Sequence, residues 1–380
     1  MSKYIQLSRY YFSDKDLADV LSEPAFSERV LLQLGRQRGF FFSPLENKRK
    51  LVHLLSRIPL DWDALKDLAE RLNSDALDKK RSTRRIENFG DLDVVNKMLT
   101  ELKNERGPKQ EEVYTIRKKS ENVFVVDVSY IDIDTSKARA FQRTESHSTI
   151  ELEKIENRIE IRFSHDERSR EIVQALFDKL RASVNTPLET VDIELTGVRD
   201  PALRSHFFVN LRQKVKNFRP IDVLDLAFDR RLPEVLEKTD KEGEPKETGE
   251  QEEIKTMVRR AAFSGQGLLS SDLAQKLRET GYFITRIKWS AKETEGEERL
   301  VEFESGFDDP IMATGFFYEL KKVYPRDDPE DQKRTHSELL RGERPRLRNL
   351  LAEAAYLSLD ELKGQIKKAI GENQNGETAA

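Results

Sequence analysis

The chain has 380 residues, enough for two or three domains with their own cores, and carries 66 Lys and Arg against 70 Asp and Glu, a formal net charge of −4. At 36% charged and 37% hydrophobic it is highly charged, yet its apolar residues recur in periodic groups, which favours folded domains with solvated faces over disorder. Near-neutrality excludes a general polycation, and the lack of cysteine excludes a disulfide framework, a thiolate metal site and a cysteine nucleophile.

The first residues, MSKYIQLSRYYFSDKDL, contain neither a long apolar core nor a cleavage-like run of small residues. No apolar run elsewhere approaches membrane length, so a cytoplasmic protein with no membrane partner is expected. A strand is expected at Tyr4 to Leu7, then a helix over Asp14 to Leu21 capped by Ser13. Ser27 to Ile58 follows, with Val30, Leu31 and Leu34 at helical spacing and Gly39 placed to end the helix in a left-handed cap. After Phe40-Phe41-Phe42, the run Ser43-Pro44-Leu45-Glu46 has the form of a capping box with proline in the first turn. It predicts a second helix with Leu45, Val52, Leu55 and Ile58 inward, Lys48, Arg49 and Lys50 near its start, and Pro59 as its stop.

Helix, extended link and basic helix, with Leu34, Gly39, Ser43, Lys48, the Leu51-Val52 pair, Leu54, Leu55 and Arg57, resemble a SAP-type DNA-binding module. In that family the link and second helix contact duplex DNA. The resemblance therefore implies that Arg38, Lys48, Lys50 and Arg57 contact phosphates. It covers under a tenth of the chain and departs from the usual pattern at Phe40-Phe41-Phe42 and Pro44. Arg36 and Arg49 add to the same basic cluster. Asp61 is expected to cap a further helix with Trp62, Leu65, Leu68 and Leu72 on one face. Lys79-Lys80-Arg81-Ser82-Thr83-Arg84-Arg85 then reads as a solvated basic connector that extends the surface, so Lys79, Lys80, Arg81, Arg84 and Arg85 join the candidate contacts.

Asp91 to Arg106 predicts a helix stopped by Gly107-Pro108. The period then changes to two: strands are expected at Val113 to Ile116, Val123 to Ile133, Ala140 to Arg143, Thr149 to Ile155 and Arg158 to Phe163, the last two joined by a tight turn at Glu156-Asn157. A helix at Asp166 to Ala182, a strand at Thr190 to Leu195, a helix from Asp200 through Val215 and a buried element over Ile221 to Phe228 complete this α+β stretch. Glu237 to Glu253 has no large apolar residue and reads as a flexible acidic linker. Beyond it come helices at Ile254 to Ala262 and Ser270 to Thr280, strands at Tyr282 to Trp289, Leu300 to Phe307 and Phe316 to Tyr324, a helix from Leu347 to Ala355, and a last helix capped by Ser358. The expected division is a helical unit (1–85), an α+β domain with an antiparallel sheet (86–236), the linker (237–253), a second small α+β domain (254–330), a basic loop with C-terminal helices (331–371) and a tail (372–380).

For chemistry, His53, His147, His165, His206 and His336 lack metal-ligand spacing, and Gly265-Gln266-Gly267 lacks the lysine of a phosphate loop. No cofactor and no metal site are predicted. The acidic pair Asp308-Asp309 and Glu319-Leu320-Lys321 match the outline of a Mg²⁺-dependent nuclease, a pattern that a solvated strand face rich in Glu and Lys also produces. The function expected first is non-enzymatic binding of nucleic acid, DNA ahead of RNA, through backbone phosphates. The biological setting expected is an accessory subunit of a bacterial assembly such as a phage-defence system. A protein-interaction module without nucleic acid is the alternative, and the nuclease comes third.

Overall fold

A computed structural model describes residues 13–23, 26–61, 63–65, 68, 80–133, 143–184, 187–230, 260–265, 267–296, 298–326 and 336–377. The protein is α+β, with N-terminal helices preceding a large antiparallel sheet. It divides into two compact units, each drawn from separated segments: 1–77, 91–150 and 171–183 in the first, and 78–90, 151–170 and 184–380 in the second. The expected strand at Tyr4 to Leu7, the linker at 237–253 and the tail beyond 377 lie outside the described residues.

The first unit opens with α1 (Asp14–Ser22), α2 (Glu28–Gln37) and α3 (Lys48–Leu55). Ser13 and Asp16 form the reciprocal capping box that starts α1, and Ser27 caps α2. The three helices bury Leu21, Phe26, Leu31, Leu51, Leu55 and Leu68 together. Gly39 ends α2 at φ +78° as expected. The second helix starts later than the sequence suggests. Asn47, not Ser43, caps it, accepting from Lys50 N at 2.9 Å, while Glu28 Oε1 takes Lys48 N at 3.0 Å and pins the first turn there. Ser43 Oγ closes only a turn onto Leu45 N (3.3 Å), and Leu45, expected inward, is 95% exposed.

The rest of this unit holds α4 (Leu92–Gln110), β2 (Val113–Ser120), β3 (Val123–Ile133), the first part of β4 (Arg143–Ile155) and most of α5 (Glu167–Ser183). The stripe Leu92, Val95, Leu99, Leu102 is buried as its spacing requires. Gly107-Pro108 does not stop α4. The hydrogen bond lost at Pro108 falls in the last turn, and the stop comes at Glu111, whose φ of +55° turns its N–H back to Gly107 O.

The second unit contains β1 (Arg81–Glu87), β5 (Arg158–Ser164), β6 (Glu189–Asp192), α6 (Pro201–Lys214), β7 (Phe218–Asp229), β8 (Arg260–Ser264), a 3₁₀ turn (Leu268–Ser270), α7 (Asp272–Glu279), β9 (Phe283–Glu293), β10 (Leu300–Asp309), β11 (Thr314–Val323) and α8 (His336–Glu377). Its strands run in the order β5-β1-β11-β10-β9-β7-β8, and β6 pairs with the far end of β1. Alternation along β10 sends Val301, Phe303, Ser305 and Phe307 to the side covered by α6 and α8, where Phe207, Phe208, Leu211, Trp289, Leu347 and Leu351 complete the core. Glu302, Glu304, Gly306 and Asp308 lie on the other side.

Four expectations are corrected here. Residues 81–85 are not a connector but part of a strand, hydrogen-bonded to β5 from Arg81↔Ser164 to Ile86↔Ile159. The expected boundary at 85/86 therefore falls inside β1. The two α+β stretches are not separate sheets, because β7 pairs with β9 from Phe218↔Glu293 to Asp229↔Phe283. Arg260 to Ala262, expected as the end of a helix, belong to a strand, Arg260–Ser264, because it pairs along the edge of β7, Asp225↔Ser264 through Asp229↔Arg260. At the C terminus one helix replaces two: the stripe Leu347, Leu351, Ala355, Leu359 passes Ser358 unbroken, and Ser358 Oγ donates to Ala354 O at 2.7 Å instead of capping.

Candidate functional site

The bases of the N-terminal hairpin separate into two groups by what they touch. Lys48 Nζ donates to the carbonyls of Ser22 and Glu23 at 2.9 and 2.8 Å, so it fastens the C-terminal end of α1, whose last carbonyls lack helical partners. Arg38 reaches Pro59 O and Asp61 Oδ1, both at 3.4 Å, and Lys50 pairs with Glu46 at 2.8 Å one turn away. Asp61 in turn accepts from Ala64 N, and this bond together with Arg38 holds its carboxyl below the ordinary value. Arg36, Arg49 and Arg57 are exposed, and their side chains have no hydrogen bond or ion pair with the described residues.

The link carries the aromatic component. Phe42 folds back over Gly35, where a Cβ would come within 2.6 Å of its ring, so the glycine makes room for the fold-back. Phe40 stacks on Phe42 with centroids 6.5 Å apart and planes 8° from parallel. Phe41 points away and is 83% exposed. Composition cannot tell which of three consecutive rings is free, because that depends on the Gly35 notch.

The second basic run has a different fate. Lys79 lies outside the described residues. Arg84 pairs with Asp192 of β6, and Arg85 is buried with its guanidinium 3.5 Å above the Tyr356 ring and 3.9 Å from Glu160. Arg81 is half-buried opposite Ser164 and Tyr318. As phosphate contacts these three are poorly placed, since strand pairing and burial already engage them. Lys80 differs. Its ammonium sits 3.9 Å from the centroid of Phe317 and has no carboxylate within ion-pair distance among the described residues.

Beside Lys80 a connected polar group crosses three strands and a helix. Ser82 Oγ lies 2.5 Å from His165 Nδ1 and 3.0 Å from Phe316 O, while His165 Nε2 lies 2.8 Å from Asp308 Oδ1, and Arg170 donates to Asp308 Oδ2. Serine, histidine and aspartate in line invite comparison with an acyl-transfer triad. Ser82, however, is only 6% exposed within a paired strand and bonded to a main-chain carbonyl, so the arrangement fixes the imidazole and presents no nucleophile. Asp308 is the exposed end. It borders an open cavity of about 400 Å³ together with Lys80, Phe317, Arg286, Ala227 and Ala262.

Burial lowers the His165 pKa; Asp308 opposes that shift, and Arg170 and Lys80 reinforce it. Against the upward pull of burial, His165 and Arg170 hold the Asp308 carboxyl below its ordinary value. In each case the unfolded chain takes up a proton at higher pH than the folded one. Stability is therefore expected to fall as pH drops below about 6.5 through His165, and again below 3.8 through Asp308. Thermal unfolding measured from pH 8 to 5 should show a shallower decline for His165→Asn than for the wild type; parallel profiles would contradict this account.

The residues with a nuclease outline do not converge. Asp309 Oδ1 caps the turn, accepting from Ile311 N and Met312 N at 3.0 Å each. Glu319 stands opposite Glu304, four residues along the strand from Asp308, about 13 Å at the usual strand rise. Lys321 bridges Glu319 and Glu304 at 2.8 and 3.1 Å, a cross-strand ion-pair layer. Among the described residues no three metal-ligating side chains come together, and no helix is long and apolar enough to cross a membrane. No protein-family model matches this chain, and no curated protein matches it.

Proposed function

We propose that this protein binds nucleic acid without catalysing a reaction, through the link and second helix of its N-terminal hairpin. The observation that supports the reading is the set of three exposed guanidinium groups, Arg36, Arg49 and Arg57, none engaged with the described residues, together with Phe41 at 83% exposure. Three other bases of the hairpin, Lys48, Arg38 and Lys50, are engaged within the fold. Unused arginines contact phosphates without base readout, and a free ring stacks on an unpaired base. The SAP-like pattern favours DNA, and the phosphate contacts move from Lys48 and Lys50 to the three free arginines.

The test is fluorescence anisotropy of labelled duplex DNA, single-stranded DNA and RNA across a salt series. The expected result is salt-sensitive binding whose log–log slope flattens by about one for each phosphate contact removed in Arg36→Glu and Arg49→Glu. Phe41→Ala should weaken single-strand binding by about 1–3 kcal/mol and leave duplex binding nearly unchanged. Affinity that does not change with salt, or that survives both charge reversals, would overturn the proposal. A protein partner is the second reading, favoured by Leu45 at 95% exposure beside Phe41. It requires a partner that is lost on Leu45→Asp while nucleic acid fails to bind.

A further inference from the structure

The cavity in the second unit lies along a row of residues in register across five strands. Phe317 faces Gly306, Gly306 faces Arg286, Arg286 faces Ala227 and Ala227 faces Ala262. Residues in register share a side of the sheet, so Ala227 and Ala262, neighbours on β7 and β8, form a small flat floor beside Arg286. The absence of a side chain at Gly306 is required: a Cβ there would stand 3.0 Å from the Phe317 ring, 3.1 Å from Thr285 O and 3.2 Å from Arg286 Cβ. On one side of the cavity the same face is filled by paired charges, Lys321 with Glu304 at 3.1 Å and Lys288 with Glu302 at 2.8 Å. The depression therefore lies where this ion-pair layer ends.

Two cations border it. Lys80 has only the Phe317 ring, whereas the Arg286 guanidinium already has Asp225 and Glu304 within ion-pair distance at 3.6 and 3.9 Å. Asp308 borders it too, as does Asp229, and each Asp308 oxygen accepts one bond, from His165 or Arg170, which leaves it a second lone pair. A volume of about 400 Å³ lies in the range that holds small organic ligands.

From this we infer that the cavity binds a nucleotide: a flat ring on the Ala227–Ala262 floor, a phosphate held by Lys80 with Arg286 beside it, and a hydroxyl or amine donating to Asp308. A bare anion would leave the floor empty, and an uncharged ring would leave Lys80 unmatched. The same chemistry belongs to a free mononucleotide and to one nucleotide of a strand. The site stands independently of the N-terminal hairpin.

Isothermal titration of the full chain with adenosine monophosphate and with inorganic phosphate tests it. The expected result is that the nucleotide binds more tightly than phosphate, and that Lys80→Ala and Ala262→Leu each weaken it by about tenfold or more. Ala262 is exposed on the edge strand, so leucine there fills the floor without disturbing the core, and an unchanged unfolding temperature would confirm an intact fold. A short oligonucleotide that displaces the nucleotide identifies a strand as the source, and one that does not identifies the free nucleotide. Absence of nucleotide binding, equal affinity for phosphate, or binding that survives both variants would overturn the assignment. Loss of nucleotide binding in Arg36→Glu/Arg49→Glu would overturn it too, by locating the ligand on the hairpin.

Discussion

Phe207→Ala is expected to destabilise the second unit by about 3–5 kcal/mol, the cost of a large aromatic cavity in a core that cannot collapse around it. Phe207 on α6 is fully buried, with Phe208, Phe316 and Phe307 centroids 5.3, 5.8 and 5.9 Å away. These rings come from one helix and two paired strands, so no single backbone shift can close the void. Urea unfolding monitored by Trp289 fluorescence should show the midpoint falling with little change in slope. Phe207→Leu keeps most of the volume and should lose much less. Equal effects for the two variants would show that volume is not what Phe207 contributes.

The second large effect concerns charge. Glu160 is 2% exposed and serves two buried guanidinium groups, Arg162 at 3.2 Å and Arg85 at 3.9 Å. Arg162 has Glu153 in reserve at 2.7 Å, but for Arg85 Glu160 is the one carboxylate within ion-pair distance among the described residues. Glu160→Gln keeps the shape and strands the Arg85 charge under α8, so a loss of about 3–5 kcal/mol is expected. The double variant Glu160→Met/Arg85→Met removes both charges and should recover most of that loss. If Glu160→Gln cost less than about 1 kcal/mol, Tyr356, on whose ring Arg85 rests, would be shown to carry the cation alone.

What could be read from the sequence was whatever depends on a few consecutive residues. The Ser13 cap, the Gly39 stop, the turn at Glu156-Asn157 and the stripe of α4 are local, and the structure holds each of them. Residues 81–85 were misread because charge recurs on both sides of the strand, hiding the period of two. Their burial depends on Glu160, Asp192 and Tyr356, none of them near in sequence. Lys48 looked like a phosphate contact because its acceptors are main-chain carbonyls, which any sequence provides. His165 looked solitary because its partners are distant in sequence: Ser82 and Asp308 reach it only after β1, β5 and β10 have joined one sheet. The cavity was illegible in principle, since its floor is made of side chains that are nearly absent.

The position of β1 bears on how the protein is made. Arg81 is bonded to a neighbourhood containing Ser164 on one edge and Tyr318 on the other, so during synthesis this strand leaves the ribosome long before its second partner exists. Until β11 is translated, the Arg81 end of one edge of β1 lacks its partner strand, while β6 covers Arg84 to Glu87. Arg81 would then act as a gatekeeper at that end, because a cationic edge repels a second copy of itself. Nascent chains stalled before residue 314 should therefore stay dispersed at low ionic strength and associate as salt is added, the opposite of what a hydrophobic edge would do.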